Sequence, residues 1–141
     1  MPHIVVEYSA NLEADLSPRR LVDALHRAAL DTGVFPIGGL RTRAERRDVY
    51  AVADGDPGNA FVAVLARIGA GRDAPTRRRV AEALMRALER ETAQAFAARG
   101  LALTVEVQEI DPVASLKTNN LHERLARKGE AGRMAQKEAA P

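Results

Sequence analysis

The sequence predicts an α/β fold, α+β in some schemes, in which one mixed four-stranded sheet carries two helices on one face. Two observations lead there. Strand, helix and strand patterns follow one another twice over nearly equal lengths: the helix-opening prolines are Pro18 and Pro75, and the apolar set Leu21, Leu25 and Ala29 recurs 59 positions later as Val80, Leu84 and Leu88. Two βαβ units of this kind share one sheet, and because parallel crossovers are right-handed both helices fall on the same side. The opposite face has no third helix to cover it although its strands alternate apolar residues on both sides, so a homo-oligomer is expected.

Each element has a local reason. His3-Ile4-Val5-Val6-Glu7-Tyr8 is short and β-branched and follows a proline, as the first strand. Ser17-Pro18 supplies an N-cap and a proline at the first helical position, and the amphipathic pattern then runs to Gly33. After the turn-rich Val34–Gly39 a strand is read at Leu40–Ala44, with Val49–Ala53 as its hairpin partner across Arg46-Arg47-Asp48. A loop at Asp54–Asn59 leads to a strand at Phe61–Ile68, a Gly69–Asp73 turn, a long helix opened by Pro75, and a last strand at Leu101–Ile110. The two units span about 1–55 and 58–112; Leu116, Leu121 and Leu125 mark a C-terminal packing segment that completes a domain over 1–125. Residues 126–141 hold few apolar side chains and are expected to form a disordered or weakly helical tail.

Charge and composition remove whole classes of function. The first 121 residues balance 16 basic against 16 acidic side chains, and the last 20 hold five basic and three acidic, so the net charge of +2 belongs to the tail. A neutral body with 4% aromatic residues lacks the basic face and stacking platforms of a nucleic-acid binder. No stretch approaches the roughly 18–20 apolar residues of a membrane span, and the first residues lack the basic start and apolar run of a signal peptide, so the expected location is cytoplasmic. With no cysteine, and with His3, His26 and His122 far from any metal-ligand spacing, no metal site is expected and the chemistry must come from nitrogen and oxygen groups.

Among those groups Pro2 is the most informative. Many chains begin Met-Pro to no catalytic end, yet removal of Met1 would leave a secondary amine at the head of a strand. A free α-amine titrates near ~7.7–8.0, and burial or neighbouring cations push it lower, towards a competent base at neutral pH. The helix arginines lie beside acidic residues and read as solvated surface, whereas Arg41 follows Gly38-Gly39-Leu40 at a strand start and Arg72 sits in the Gly-Ala-Gly-Arg-Asp turn, places where α/β sheets bind ligands. Their planar guanidinium forks suit carboxylates. Glu7, Glu106 and Glu109 are strand carboxylates suited to a polar subunit junction, and the histidines read as structural or exposed.

Several blocks in order, Met-Pro-His-Ile-Val-Val-Glu-Tyr-Ser-Ala-Asn at 1–11, Gly-Val-Phe-Pro-Ile-Gly-Gly-Leu-Arg-Thr-Arg-Ala at 33–44, Ala-Asp-Gly-Asp-Pro-Gly-Asn-Ala-Phe at 53–61, Arg-Ile-Gly-Ala-Gly-Arg-Asp at 67–73 and Gln-Glu-Ile-Asp-Pro at 108–112, resemble the 5-carboxymethyl-2-hydroxymuconate isomerase family of the tautomerase superfamily. Lys117-Thr118-Asn119-Asn120-Leu121-His122-Glu123 resembles that family's C-terminal segment. The resemblance implies a homotrimer of two-βαβ subunits that ketonises a polycarboxylate 2-hydroxy dienol in homoprotocatechuate breakdown, with Pro2 as the proton carrier and without a cofactor. Arg41 and Arg72 match the family's substrate-binding arginines, and Arg43 shares a strand face with Arg41. A tautomerase acting on another enol, such as a phenylpyruvate type, and a non-catalytic trimeric binding protein are the alternatives.

Overall fold

The computed structural model describes residues 1–140. The chain runs through β1 (His3–Ser9), a 3-10 turn (Ala10–Ala14), α1 (Pro18–Asp31), a second 3-10 turn (Ile37–Gly39), β2 (Arg41–Arg47), β3 (Ala60–Gly69), α2 (Ala74–Ala98), β4 (Leu101–Ile110) and α3 (Leu121–Glu138). The sheet order is β2-β1-β3-β4, with β1 and β2 parallel, β1 and β3 antiparallel, and β3 and β4 parallel. This is the pair of βαβ units that the repeated pattern predicts.

Alternation along the strands sorts the side chains. Ile4, Val6 and Tyr8 of β1 pair in register with Ala66, Val64 and Val62 of β3, and all six are buried against Leu21, Leu25 and Ala29 of α1 and Val80, Leu84 and Leu88 of α2. Burying a side chain of this size contributes about 1.5–3 kcal/mol. Both helices are started by a side chain that accepts an otherwise unpaired backbone N–H: Ser17 Oγ from Arg20 and Asp73 Oδ1 from Thr76, each with a proline in the first turn. Gly33, at φ +70°, adopts the left-handed conformation that lets the chain leave α1.

The other face of the sheet is open and mixed. Across it lie the rows Arg43, Val5, Leu65 and Glu106, and Arg41, His3, Arg67 and Gln108. Val5 is buried there, yet it stands outside the main core.

One expectation needs correction. The stretch Val49–Ala53 is not a strand, and Arg46 and Arg47 lie within β2, which continues because β1 is long enough to pair Ser9 with Arg47. Residues 48–59 form a loop tied by short polar side chains: Asn59 Nδ2 donates to Val52 O (3.2 Å) and Asp54 Oδ1 (2.9 Å), Gly58 N donates to Asp56 Oδ1 (2.7 Å), and Asn11 Nδ2 donates to Asn59 O (2.8 Å). Such bonds compete with a ladder and win here, and Val49, 97% exposed, has nothing to pack against. In the tail, residues 126–138 continue the helix that begins at Leu121, the helical form of the tail expected there, and the residues of α3 are all exposed. Among the described residues no helix is long and apolar enough to cross a membrane.

Candidate active site

The topology gathers four segments at the end of the sheet where β1 begins. Parallel pairing sets Arg41, the first residue of β2, beside His3. Antiparallel pairing brings the exit of β3, and so the Gly69–Asp73 turn, to the same end, and β4 leaves there too because Ile110 pairs with Gly69. The chain then returns through residues 111–120 to α3, whose start rests on the Ile37–Gly39 turn. The contact is close: a Cβ on Gly38 would lie 2.6 Å from His122 Nδ1 and would displace that exposed ring.

Pro2 is buried at this end, and its carbonyl accepts the backbone N–H of Arg41 at 3.2 Å. The Arg41 guanidinium donates to Gly39 O (3.4 Å) and to the Met1 sulfur (3.3 Å). Arg72 is half-buried; it donates to Gly69 O (2.9 Å) and Val34 O (3.3 Å), and its guanidinium carbon lies 5.5 Å from the centre of the Phe35 ring. Neither arginine has a carboxylate partner among the described residues. A guanidinium has five N–H donors, so each keeps donors for an anion.

The electrostatics at this point are one-sided. The N-terminal amine is lowered from its ordinary value, first by burial and then by the positive charges of Lys117, Arg41 and Arg72. The His3 imidazole is also lowered, by burial first and then by Arg41, Arg43 and Arg67. With Met1 in place, Met1 carries the amine and the Pro2 nitrogen is part of a peptide bond, which is not basic.

The structure thus brings Pro2, Arg41 and Arg72 together and leaves Arg43 apart. Arg43 is one pair further along the open face, opposite Val5, where it lies 3.4 Å from His3 Nδ1 and 3.7 Å from Glu45 Oε1. The histidines do not meet: His26 bonds Thr42 Oγ1 (2.9 Å) and His122 packs on Gly38. Glu7 pairs with Arg47 (3.1 Å), and Glu106 accepts from Gln108 (2.9 Å). No group of three or more His, Asp or Glu side chains suited to a metal ion occurs among the described residues.

Composition and spacing give four residues at this end no part in the site, although Glu109 is one of the strand carboxylates named above. Phe35 lies under Arg72. Glu109 steadies the Arg72 turn by accepting from Gly71 N (3.2 Å) and Arg77 (2.8 Å). Lys117 adds charge, and Asn119 donates to Gly38 O (2.7 Å). Long-range side-chain contacts of this sort have no period in the sequence; the resembling blocks at 33–44, 108–112 and 117–123 contain these residues but assign them no role. A cavity of about 350 Å³ beside the site is lined by Arg41, Thr118, Asn119, Asn120 and Leu121. A larger one, about 850 Å³, lies at the far end of β1 among Glu13, Asp15, Arg20 and Glu91, away from Pro2.

Known proteins resemble this chain in sequence and fold. The profile of the 5-carboxymethyl-2-hydroxymuconate isomerase family matches residues 2–125. An Escherichia coli 5-carboxymethyl-2-hydroxymuconate Delta-isomerase is 34% identical over 122 residues, 86% of this chain and 97% of that protein. The crystal structure of a 5-carboxymethyl-2-hydroxymuconate isomerase from Deinococcus radiodurans R1 superposes with a TM-score of 0.81 at 38% identity, covering 88% of this chain and 93% of that one. A fused 4-OT described as a symmetric trimer shares the fold at 19% identity, with a TM-score of 0.63 over 84% of this chain and 92% of its own. Family match, sequence identity and superposition agree, and the chain belongs to the 5-carboxymethyl-2-hydroxymuconate isomerase family.

Proposed function

We propose that the protein ketonises 5-carboxymethyl-2-hydroxymuconate to its 2-oxo isomer, in the breakdown of homoprotocatechuate, with the secondary amine of Pro2 carrying the proton once Met1 has been removed. The observation that carries this reading is the placement of buried Pro2 beside two arginines with no carboxylate partner. The amine takes the proton of the 2-hydroxyl, the O–H electron pair closes the C2=O double bond, the conjugated double bonds shift, and a proton is returned to carbon. One proton leaves oxygen and one arrives at carbon, so the composition is unchanged and no redox partner is involved.

Arg41 and Arg72 bind substrate carboxylates and stabilise charge on the developing 2-oxo oxygen, and burial together with the charges of Lys117, Arg41 and Arg72, which lower the Met1 amine, disfavours the protonated form of the Pro2 amine exposed at the same place. Arg43 on the open face belongs to the substrate-facing set only if a neighbouring subunit brings the sites together. The assembly is read as a homotrimer, supported by the uncovered sheet face and by the trimer of the fused 4-OT. The test is an ultraviolet time course of ketonisation by untagged protein whose mass confirms loss of Met1, beside protein extended at its N-terminus. Conversion by the first and none by the second is expected; equal rates would remove Pro2 from the reaction.

A further inference from the structure

Beside Arg41, the half-buried Asn119 differs from its exposed neighbours Thr118 and Asn120. Its orientation is determined at both ends of the amide. Oδ1 accepts Leu121 N (2.6 Å), while Nδ2 donates to Gly38 O (2.7 Å) and to the Met1 sulfur (3.2 Å). The same sulfur takes the Arg41 Nη2 donor at 3.3 Å. Two N–H donors from segments far apart in the chain therefore converge on one acceptor position, now filled by a thioether, one of the weakest acceptors a protein has. A carboxylate oxygen there would make two charge-assisted bonds of normal length. The 350 Å³ cavity lined by Arg41 and Thr118–Leu121 opens at this point, and Lys117, one residue before Thr118, has no carboxylate partner among the described residues.

We propose that Asn119 and Lys117, with the outer edge of Arg41, form a carboxylate subsite that makes the enzyme selective for a tricarboxylate dienol over one with two carboxylates. The inference rests on the ketonisation reading. It assigns the carboxymethyl arm of the substrate to this subsite, with the muconate carboxylates left to Arg72 and the inner edge of Arg41. Removal of Met1 then has two consequences, since it frees the Pro2 amine and also releases the two donors that its side chain occupies.

The test compares kcat/KM for 5-carboxymethyl-2-hydroxymuconate with that for 2-hydroxymuconate, the same dienol without the arm, in the Met1-free wild type, Asn119→Ala, Asn119→Asp and Lys117→Met. The ratio between the two substrates is expected to fall about tenfold in Asn119→Ala and Lys117→Met, and further in Asn119→Asp, where a carboxylate would face the arm. Lys117 is exposed and its replacement disturbs no packing, so that variant does not depend on the hydrogen bonds Asn119 gives to the fold. Equal losses on both substrates, or a ratio within about twofold of wild type in Lys117→Met and Asn119→Asp, would overturn the subsite and leave Asn119 a structural tether. Wild-type protein inactive on both dienols would overturn the reaction instead. The subsite is then decided by calorimetry with tricarballylate against glutarate: preference for the tricarboxylate that disappears in the same variants upholds it, and equal binding removes it.

Discussion

The two ends of β1 use arginine in opposite ways. At the far end Arg46 pairs with Glu13 (2.7 Å) and Asp48 (2.8 Å), Arg47 with Glu7 and Glu45, and Arg99 with Asp15 (2.6 Å). At the near end Arg41 and Arg72 bond to carbonyls and to a sulfur atom, and Glu109 and Asp73, the carboxylates closest to Arg72 along the chain or the sheet, are taken by Arg77 and by the N-terminus of α2. The body of the chain has no net charge, so the contrast is one of distribution. Paired cations close a surface; unpaired ones, half-buried and held by their neighbours, keep a field that can act on an amine and on an anion.

Blocking the N-terminus sharpens the contrast most. An extension before Pro2 is expected to abolish ketonisation, and Pro2→Ala, which keeps a free amine but loses the ring, to lower kcat by about 10²–10⁴-fold, both followed by ultraviolet absorbance. Arg41→Ala and Arg72→Ala should each lower kcat/KM by about 10²–10³-fold, the loss expected for removing a donor to developing charge. If Arg46→Ala at the paired end costs as much, the contrast collapses.

The pH profile is a finer probe. Protonating the amine removes the base, so kcat/KM should rise with pH through the amine's pKa and then level, with the midpoint moved down from that of an exposed prolyl amine because the burial and cations that lower the Met1 amine also surround Pro2. Arg41→Ala withdraws a positive charge, which must move that midpoint upward; no movement would show that the field does not reach Pro2. The smallest effect belongs to the far end. Arg99→Ala should lower stability in denaturant by about 1 kcal/mol or less, since a partly exposed ion pair contributes little, with kcat/KM within about twofold of wild type.

The site is unevenly legible in the sequence, and the reason is physical. Arg72 announced itself because a glycine turn between a strand and a helix is a local signal, and Gly71 does adopt φ +97° there. Arg41 was legible as the first residue of a strand after two glycines. Asn119 and Lys117 were invisible as binding groups because their meaning comes from Gly38, about 80 residues earlier, and from the opposite end of the chain. The hairpin expected at 49–53 fails for a related cause: its apolar run is real, but strand formation needs a partner edge, and the polar side chains of 54–59 supply a competing set of bonds.

By itself the sequence determined the two strand–helix–strand units, their caps and the helix-facing core, because periodicity, N-cap chemistry and glycine at positive φ act within a few residues. The tertiary structure alone decided which cations remain unpaired, which carboxylates are already engaged, and that the N-terminus, two turns and the start of α3 share one end of the sheet. Those outcomes depend on strand order and direction: antiparallel pairing of β1 with β3 carries the Arg72 turn back to Pro2, and no local pattern encodes that meeting.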